Sequence, residues 1–322
     1  MEETFKSLGK AQAIKKLYEN SGFTAAINPY CECNDGYSTT ASRLLLEGMD
    51  FDLTFFPLSH LGYKAVLEVT GDLFSTLSVP RTLKITVGLS SKLDFAECRQ
   101  LLNGVFNAAK DFEYLDVALD IVPSLTGLSI AVAANGLCDK KTAAARGVAK
   151  SMDLICISNN VGAAFLGEQI LRKAAELPEK ERQKKLEQYK QLIGAYLKPE
   201  LSPFTLKALK ESDITPSFAW FCKESLRETI ASLCASSGLG AKIYVDKLPF
   251  ASGSIDAAKE LGVDPLQAAL RGGEDCCMLF TIPIGSHERF RHDFQSWDVI
   301  GHLARPEVGA VVVSPDGLEH QI

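Results

Sequence analysis

The sequence predicts a mixed α/β (α+β) protein of two subdomains, with sheets flanked by helices. Three observations predict it. Short β-type runs alternate with helical segments along most of the chain, the pattern of layered α/β architectures. The 322 residues amount to about two average domains. With 46% hydrophobic and 23% charged residues, the chain has the composition of a globular protein that builds its own core.

The elements follow in order. Residues 4–20 place Phe5, Leu8, Ala11, Ile14 and Leu17 near one helical face. Residues 29–42 are rich in turn formers and read as a loop. Alternation over residues 49–53 reads as a strand leaving a kink at Gly48. Residues 60–77 carry apolar side chains at helical spacing, and residues 82–90 are β-rich. A helix starts behind an Asp94 cap and runs to residue 112. Two apolar β-type runs, 114–122 and 125–136, are separated by a turn at Pro123 and Ser124. Small and charged residues over 139–153 mark a boundary, giving subdomains 1–138 and 139–322. The second half opens on LICIS, a turn of two asparagines and a glycine, and a helix. That order is loosely like a phosphate-binding strand-loop-helix, without a Walker lysine or a G-x-G-x-x-G. Residues 178–190 form a highly charged helix with a solvated face. Beyond it, helices at SPFTLKALKES, SLRETIASLCASSG, SIDAAKELG and DPLQAALRGG alternate with strands at AKIYVDKL, DCCMLFTIP, DVIGHLA and GAVVVSP.

Acidic residues outnumber basic ones by 40 to 34, a formal charge of -6. Such a molecule repels a phosphate backbone, so nucleic acid is excluded as a general partner while a small basic pocket for one anionic metabolite is not. The 9 cysteines include a C-x-C at Cys31 and Cys33 and an adjacent pair at Cys276 and Cys277, with no C-x-x-C. Neither a disulfide framework nor a zinc site is expected, and a reducing cytoplasm is the simpler setting. The charged N-terminal residues lack the apolar stretch of a signal peptide, and no apolar run approaches the ~18 residues of a membrane span.

Acidic residues stand at the ends of apolar elements in three places. Asp72 follows EVTG, Asp120 follows the strand-like VAL, and Glu274 and Asp275 follow Gly272 and Gly273 directly before CCMLFTI. Magnesium with phosphates takes one or two protein carboxylates plus phosphate oxygens, which makes these acids candidates for it. The bland reading of each is a helix cap or a surface charge. Paired glycines let the backbone approach a ligand or take a positive φ, and they also serve ordinary turns.

At these residues the sequence resembles the thiamine-monophosphate kinase family, part of the superfamily named after aminoimidazole ribonucleotide synthetase. The resemblance rests on LLLEGMDFDLTFFPLSHLGYKA (44–65), the DL and P of 72–80, SLTGLSI (124–130), RGVAKSMDLICIS (146–158), VGAAFLG (161–167), GGEDCCMLFTIP (272–283) and VIGHLARPEVG (299–309). It implies a two-domain synthetase-like fold whose N-terminal sheet pairs with its twin in a homodimer. It also implies that ATP, Mg2+ and a phosphorylated small molecule bind in a cleft between the domains, with phosphoryl transfer to thiamine phosphate. Carried over position by position, Asp35, Asp72 and Asp120 are the expected metal ligands, and Asp120 and Arg146 face the nucleotide. Asp50, Gly272, Gly273, Glu274 and Asp275 are the expected substrate contacts.

Several family motifs are altered. Asn34, Asp35 and Gly36 stand for G-D-D, and Ser42 and Arg43 for T-D, which puts a cation in place of an acid. Asp50 replaces a substrate-contacting histidine, Val69 to Asp72 stand for N-x-S-D, and Ala118 to Ile121 for G-G-D-T. D-x-S-D-G-L falls on residues 221–226, where Phe221, Lys223 and Glu224 take the places of Asp, Ser and Asp. These changes imply weakened activity, or a non-catalytic paralogue that binds a nucleotide or phosphorylated metabolite. If Arg43 and Lys223 reach the same cleft, their charges substitute for lost metal ions.

Overall fold

The computed structural model describes residues 10–23 and 30–322. The first residues of the expected N-terminal helix, with Phe5 and Leu8, lie outside the described residues; α1 spans Lys10–Leu17.

The first half of the chain builds a five-stranded sheet covered on one face by two helices. Its elements are β1 (Tyr30–Cys33), β2 (Gly36–Leu46), α2 (Leu58–Ser75), β3 (Val79–Ser90), α3 (Phe95–Asp111), β4 (Asp116–Ser124) and β5 (Ser129–Asp139). The strand order is β1-β2-β5-β3-β4. All neighbours are antiparallel except β3 and β4. Leu83, Ile85 and Val87 of β3 and Ile130 and Val132 of β5 are buried, joining a core with Leu101 and Val105 of α3 and Leu67 and Leu73 of α2. Asp94 caps α3 as its sequence implies: its carboxylate accepts the Glu97 N–H at 2.8 Å and Glu97 returns a bond to the Asp94 N–H, a capping box.

Three local expectations need correction. Residues 30–46 are a hairpin, not a loop: Cys33 pairs with Gly36, so Asn34 and Asp35 form its two-residue turn. Asx residues before glycine are a hairpin signal as much as a loop signal. The strand expected over residues 49–53 is a turn, in which the Asp50 carboxylate accepts the Leu46 N–H at 2.8 Å and Gly48 has φ 81°. The alternation there reflects a single buried ring, Phe51, next to which no ladder forms. Finally, β4 continues through Pro123 and Ser124, and β5 does not pair with it but inserts between β2 and β3. Proline fits because β4 is an edge strand.

After α4 (Lys140–Ala145), the second half forms a seven-stranded sheet of order β12-β11-β8-β10-β6-β9-β7. Its strands are β6 (Leu154–Ile157), β7 (Phe218–Cys222), β8 (Gly240–Tyr244), β9 (Cys277–Ile282), β10 (Asp298–Ala304), β11 (Ala310–Val313) and β12 (Glu319–Gln321). The helices are α5 (Ala163–Ala175), α6 (Glu179–Gln188), α7 (Lys190–Leu197), α8 (Thr205–Glu211), α9 (Leu226–Ser237), α10 (Ser254–Leu261), α11 (Pro265–Arg271) and α12 (His287–Asp293). β9 is buried at every residue and lies inside the sheet between β6 and the edge strand β7, whereas charged α6 buries none of its residues. No described helix is long and apolar enough to cross a membrane.

Helix α2 joins the halves. From Leu61 to Ser75 all its residues except Tyr63 are buried, because the five-stranded sheet and α3 cover part of it and β7 packs on the rest. One apolar cluster therefore runs through both halves, from Leu67 and Val132 to Phe221, Met278 and Phe280.

Candidate functional site

A helix buried all round has no solvated face on which to place charge, so each of its charged residues needs a partner inside the fold. Helix α2 carries three such residues on its buried stretch, Lys64, Glu68 and Asp72, spaced by successive turns. The Lys64 ammonium donates to Glu274 Oε2 at 2.7 Å and lies over the rings of Tyr196 and Phe56, 4.6 and 5.6 Å from their centroids. Glu68 Oε2 accepts from Arg43 Nε at 2.8 Å, and Arg43 Nη2 donates to Asp50 Oδ1 at 3.1 Å. Asp72 Oδ2 accepts from Lys223 Nζ at 2.5 Å.

The result is a chain of alternating charge along one side of α2. Burial pushes the Glu68 carboxyl up to about 7, and Glu274 pushes the same way against Lys64 and Arg43. Its Oε1 has no hydrogen-bond partner among the described residues. A proton on Glu68 removes the cost of the buried charge. Burial opposes the charge on Lys64, but Glu274, Cys276 and Glu68 outweigh it and its pKa rises. Asp72 is raised by burial and held back by Lys223.

The expected site residues divide clearly. Arg43, Asp50, Asp72, Lys223 and Glu274 meet in this cluster, and Glu224 adds its negative field to Asp72. Asp120 does not join them. Arg43 is opposite Val132 of β5, Val132 is opposite Ile85 of β3 and Ile85 is opposite Leu119 of β4, so Arg43 shares the helix-covered face. Asp120 is one residue along, opposite Thr86, and points to the open face. Asp35 is exposed at the hairpin turn. Arg146 is half-buried at the C-terminal end of α2, where its Nη2 donates to the Ser75 carbonyl at 3.4 Å.

The glycine and acid pairs have separate tasks. Gly273 has φ 79°, a conformation glycine adopts without strain, and Gly272 packs against Phe165, whose Cβ would be 2.5 Å from an added Cβ. Glu274 turns into the cluster. Asp275 turns away: its oxygens accept the N–H groups of Gly162 and Ala164 at 2.7 and 3.0 Å, capping α5. The loose strand-loop-helix likeness thus ends at a helix N-terminus filled by an internal carboxylate. Burial pushes Asp275 to about 7, against the pull of those amides.

Phe221 is buried on β7 with its ring over Gly71; a Cβ on Gly71 would lie 2.3 Å from a ring carbon. Lys64, Glu68 and Tyr196 were not among the sequence candidates. The available signal was a lysine and a glutamate one turn apart in the otherwise apolar KAVLEVTG. A groove of about 470 Å³, lined by Phe74, Leu77, Phe112, Leu137, Phe204 and Leu209 among others, contains none of the expected site residues.

No family model matches the chain. Curated relatives do. A thiamine-monophosphate kinase of Aquifex aeolicus is 24% identical over 315 residues, covering 97% of each chain. One of Pyrococcus horikoshii is 23% identical over 89% of this chain and 84% of its own. Among solved structures, AaThiL complexed with AMPPCP and TMP superposes with a TM-score of 0.82 at 22% identity, over 100% of this chain and 98% of that one. The chain is a divergent relative of the thiamine-monophosphate kinases. Its fold is the aminoimidazole ribonucleotide synthetase-like fold, shared also by a HypE-HypF complex at TM-score 0.66 and 14% identity, over 88% of this chain and 90% of that one.

Proposed function

We propose that this chain is a thiamine-monophosphate-kinase-like protein that binds a nucleotide and a phosphorylated small molecule in the cleft beside α2. Its transfer of phosphoryl groups from ATP to thiamine phosphate is weakened. The observation that carries the reading is Arg146. Arg43, Lys64 and Lys223 are each already paired with a carboxylate. Arg146 is pulled down by burial and steadied by Cys138, with no carboxylate among the described residues acting on it, and its Nη2 donates to a backbone carbonyl. A guanidinium with donors to spare suits phosphate oxygens, which accept its fork of N–H groups in pairs.

Phosphoryl transfer depends on positioning and on cations that neutralise developing charge, the part magnesium supplies when bound. The residues here do not fit that ion: Asp35, Asp72 and Asp120 stand apart and Lys223 already occupies Asp72. This favours a second reading, a binding protein without turnover. Titration calorimetry with ATP, ADP and thiamine monophosphate, each with and without Mg2+, is expected to show binding. Steady-state ADP release is expected to fall at least ~10³-fold below that of a relative with intact metal ligands. Absence of binding by all three at millimolar concentration refutes both readings.

Two further expectations belong here. Residues 1–138 and 139–322 are the two domains, and the chain pairs with a second copy through the open face of the five-stranded sheet. Exposed Leu44, Leu46 and Val122 on that face support pairing, as does the exposed edge of β4. Sedimentation of the native chain against a Leu44→Glu variant tests it, with loss of a dimer expected. The setting we propose is cytoplasmic, supported by 9 free cysteines.

A further inference from the structure

Asp72 and Lys223 are 151 positions apart, so their ion pair is a product of the fold and not of a local turn. Both side chains are largely withdrawn from water, 9% and 15% exposed. Two residues before Lys223, the Phe221 ring lies against Gly71, the neighbour of Asp72. Ammonium and ring thus cover successive residues of one turn of α2. Among the described residues no group of three or more Asp, Glu, His or Cys side chains is placed to hold an ion.

We infer that this cleft has exchanged a bound divalent cation for an internal one: the Lys223 ammonium supplies the positive charge at Asp72, and the Phe221 ring fills the volume over Gly71. Magnesium demands near-octahedral oxygen ligands at close range. To enter here it must evict the ammonium, which leaves two cations competing for one carboxylate, and it meets a hydrocarbon ring where a second carboxylate is needed. The two substitutions act together. With the ring gone and the lysine kept, the ion is still repelled; with the lysine gone and the ring kept, it lacks ligands.

Manganese provides the probe. The native chain, titrated with Mn2+ alone and followed by electron paramagnetic resonance, is expected to leave the ion free up to on the order of 1 mM, the weak end of carboxylate sites. Its unfolding temperature is expected to be the same in excess Mg2+ and in EDTA, since an ion that binds the folded state would raise it. The variant carrying Phe221→Asp, Lys223→Ser and Glu224→Asp is expected to bind Mn2+ at least ~10-fold more tightly and to unfold at higher temperature in Mg2+ than in EDTA. Native binding of Mn2+ below about 100 μM that is lost in Asp72→Asn overturns the inference. A folded triple variant that still leaves Mn2+ free also overturns it. The native titration decides the matter even if that variant does not fold, and neither readout depends on nucleotide binding or turnover.

Discussion

Replacing Gly71 with alanine sets two known effects against each other. Gly71 is interior to the 18-residue helix α2, where alanine in place of glycine ordinarily stabilises by about 1 kcal/mol. Here the new Cβ would meet three carbons of the Phe221 ring at 2.3, 2.4 and 2.5 Å. That ring is only 2% exposed and sits in a strand of the sheet, so it cannot swing into solvent. Overpacking of this kind costs about 1–3 kcal/mol, so the obstruction outweighs the propensity gain and Gly71→Ala destabilises by roughly 0–2 kcal/mol. In a Phe221→Ala background the obstruction is gone and the same change stabilises by about 1 kcal/mol. The sign reverses, and the coupling of about 1–3 kcal/mol exceeds the ~0.5 kcal/mol scatter of independent sites. Urea unfolding of the four chains measures it. Phe221→Leu is the milder background, because Phe→Ala in a core costs ~3–5 kcal/mol. A Gly71→Ala effect that is stabilising in the native chain, or equal in both backgrounds, refutes the placement of the ring on α2.

Glu274→Gln leaves the buried Lys64 without its closest carboxylate and is expected to cost about 2 kcal/mol in urea unfolding, below the ~3–5 kcal/mol of a fully orphaned charge because Glu68 lies alongside. Glu68 and Asp275 both have folded pKa values raised to about 7, above those of the unfolded chain, so the stability they contribute is complete below about pH 4 and is lost as pH rises through 7. Thermal unfolding is therefore expected to move to lower temperature between pH 5 and about 7.5, and Glu68→Gln to flatten part of that slope. Arg146→Ala is expected to weaken ATP binding ~10-fold or more by calorimetry while leaving the far-ultraviolet dichroism unchanged. Asp94→Ala removes the capping box of α3 and is expected to cost about 1 kcal/mol.

The fold was legible where local chemistry and tertiary context agree. Helix α3 announces itself by Asp94 and Glu97, and the apolar runs at 154–157 and 277–282 become the neighbouring interior strands β6 and β9. Register was not legible. Nothing local says that β5 enters between β2 and β3, and that insertion is what sends Arg43 and Asp120 to opposite faces of one sheet. The short strand β7 was missed because its five residues lie between a proline-containing turn and a charged loop, and their pairing partner β9 is distant in sequence. In the site, resemblance to a family pointed to Arg43, Asp72, Lys223 and Glu274. The partners that give those residues meaning, Lys64 and Glu68, were visible only as charges in an apolar segment, and their role depends on the complete burial of α2.

Two ion pairs, Lys64 with Glu274 and Lys223 with Asp72, tie α2 to loops of the second half. Any motion that draws these loops away from α2 must pull both apart, so they act as latches made of the chain itself. A clamp built on a metal is released by a chelator; this one answers to salt. At 1 M ionic strength the screening length falls to about 3 Å, comparable to the pairs themselves, yet buried pairs feel it only after water has entered. Salt should therefore hasten the later part of opening and leave its first step, the parting of the Phe221 ring from α2, unaffected.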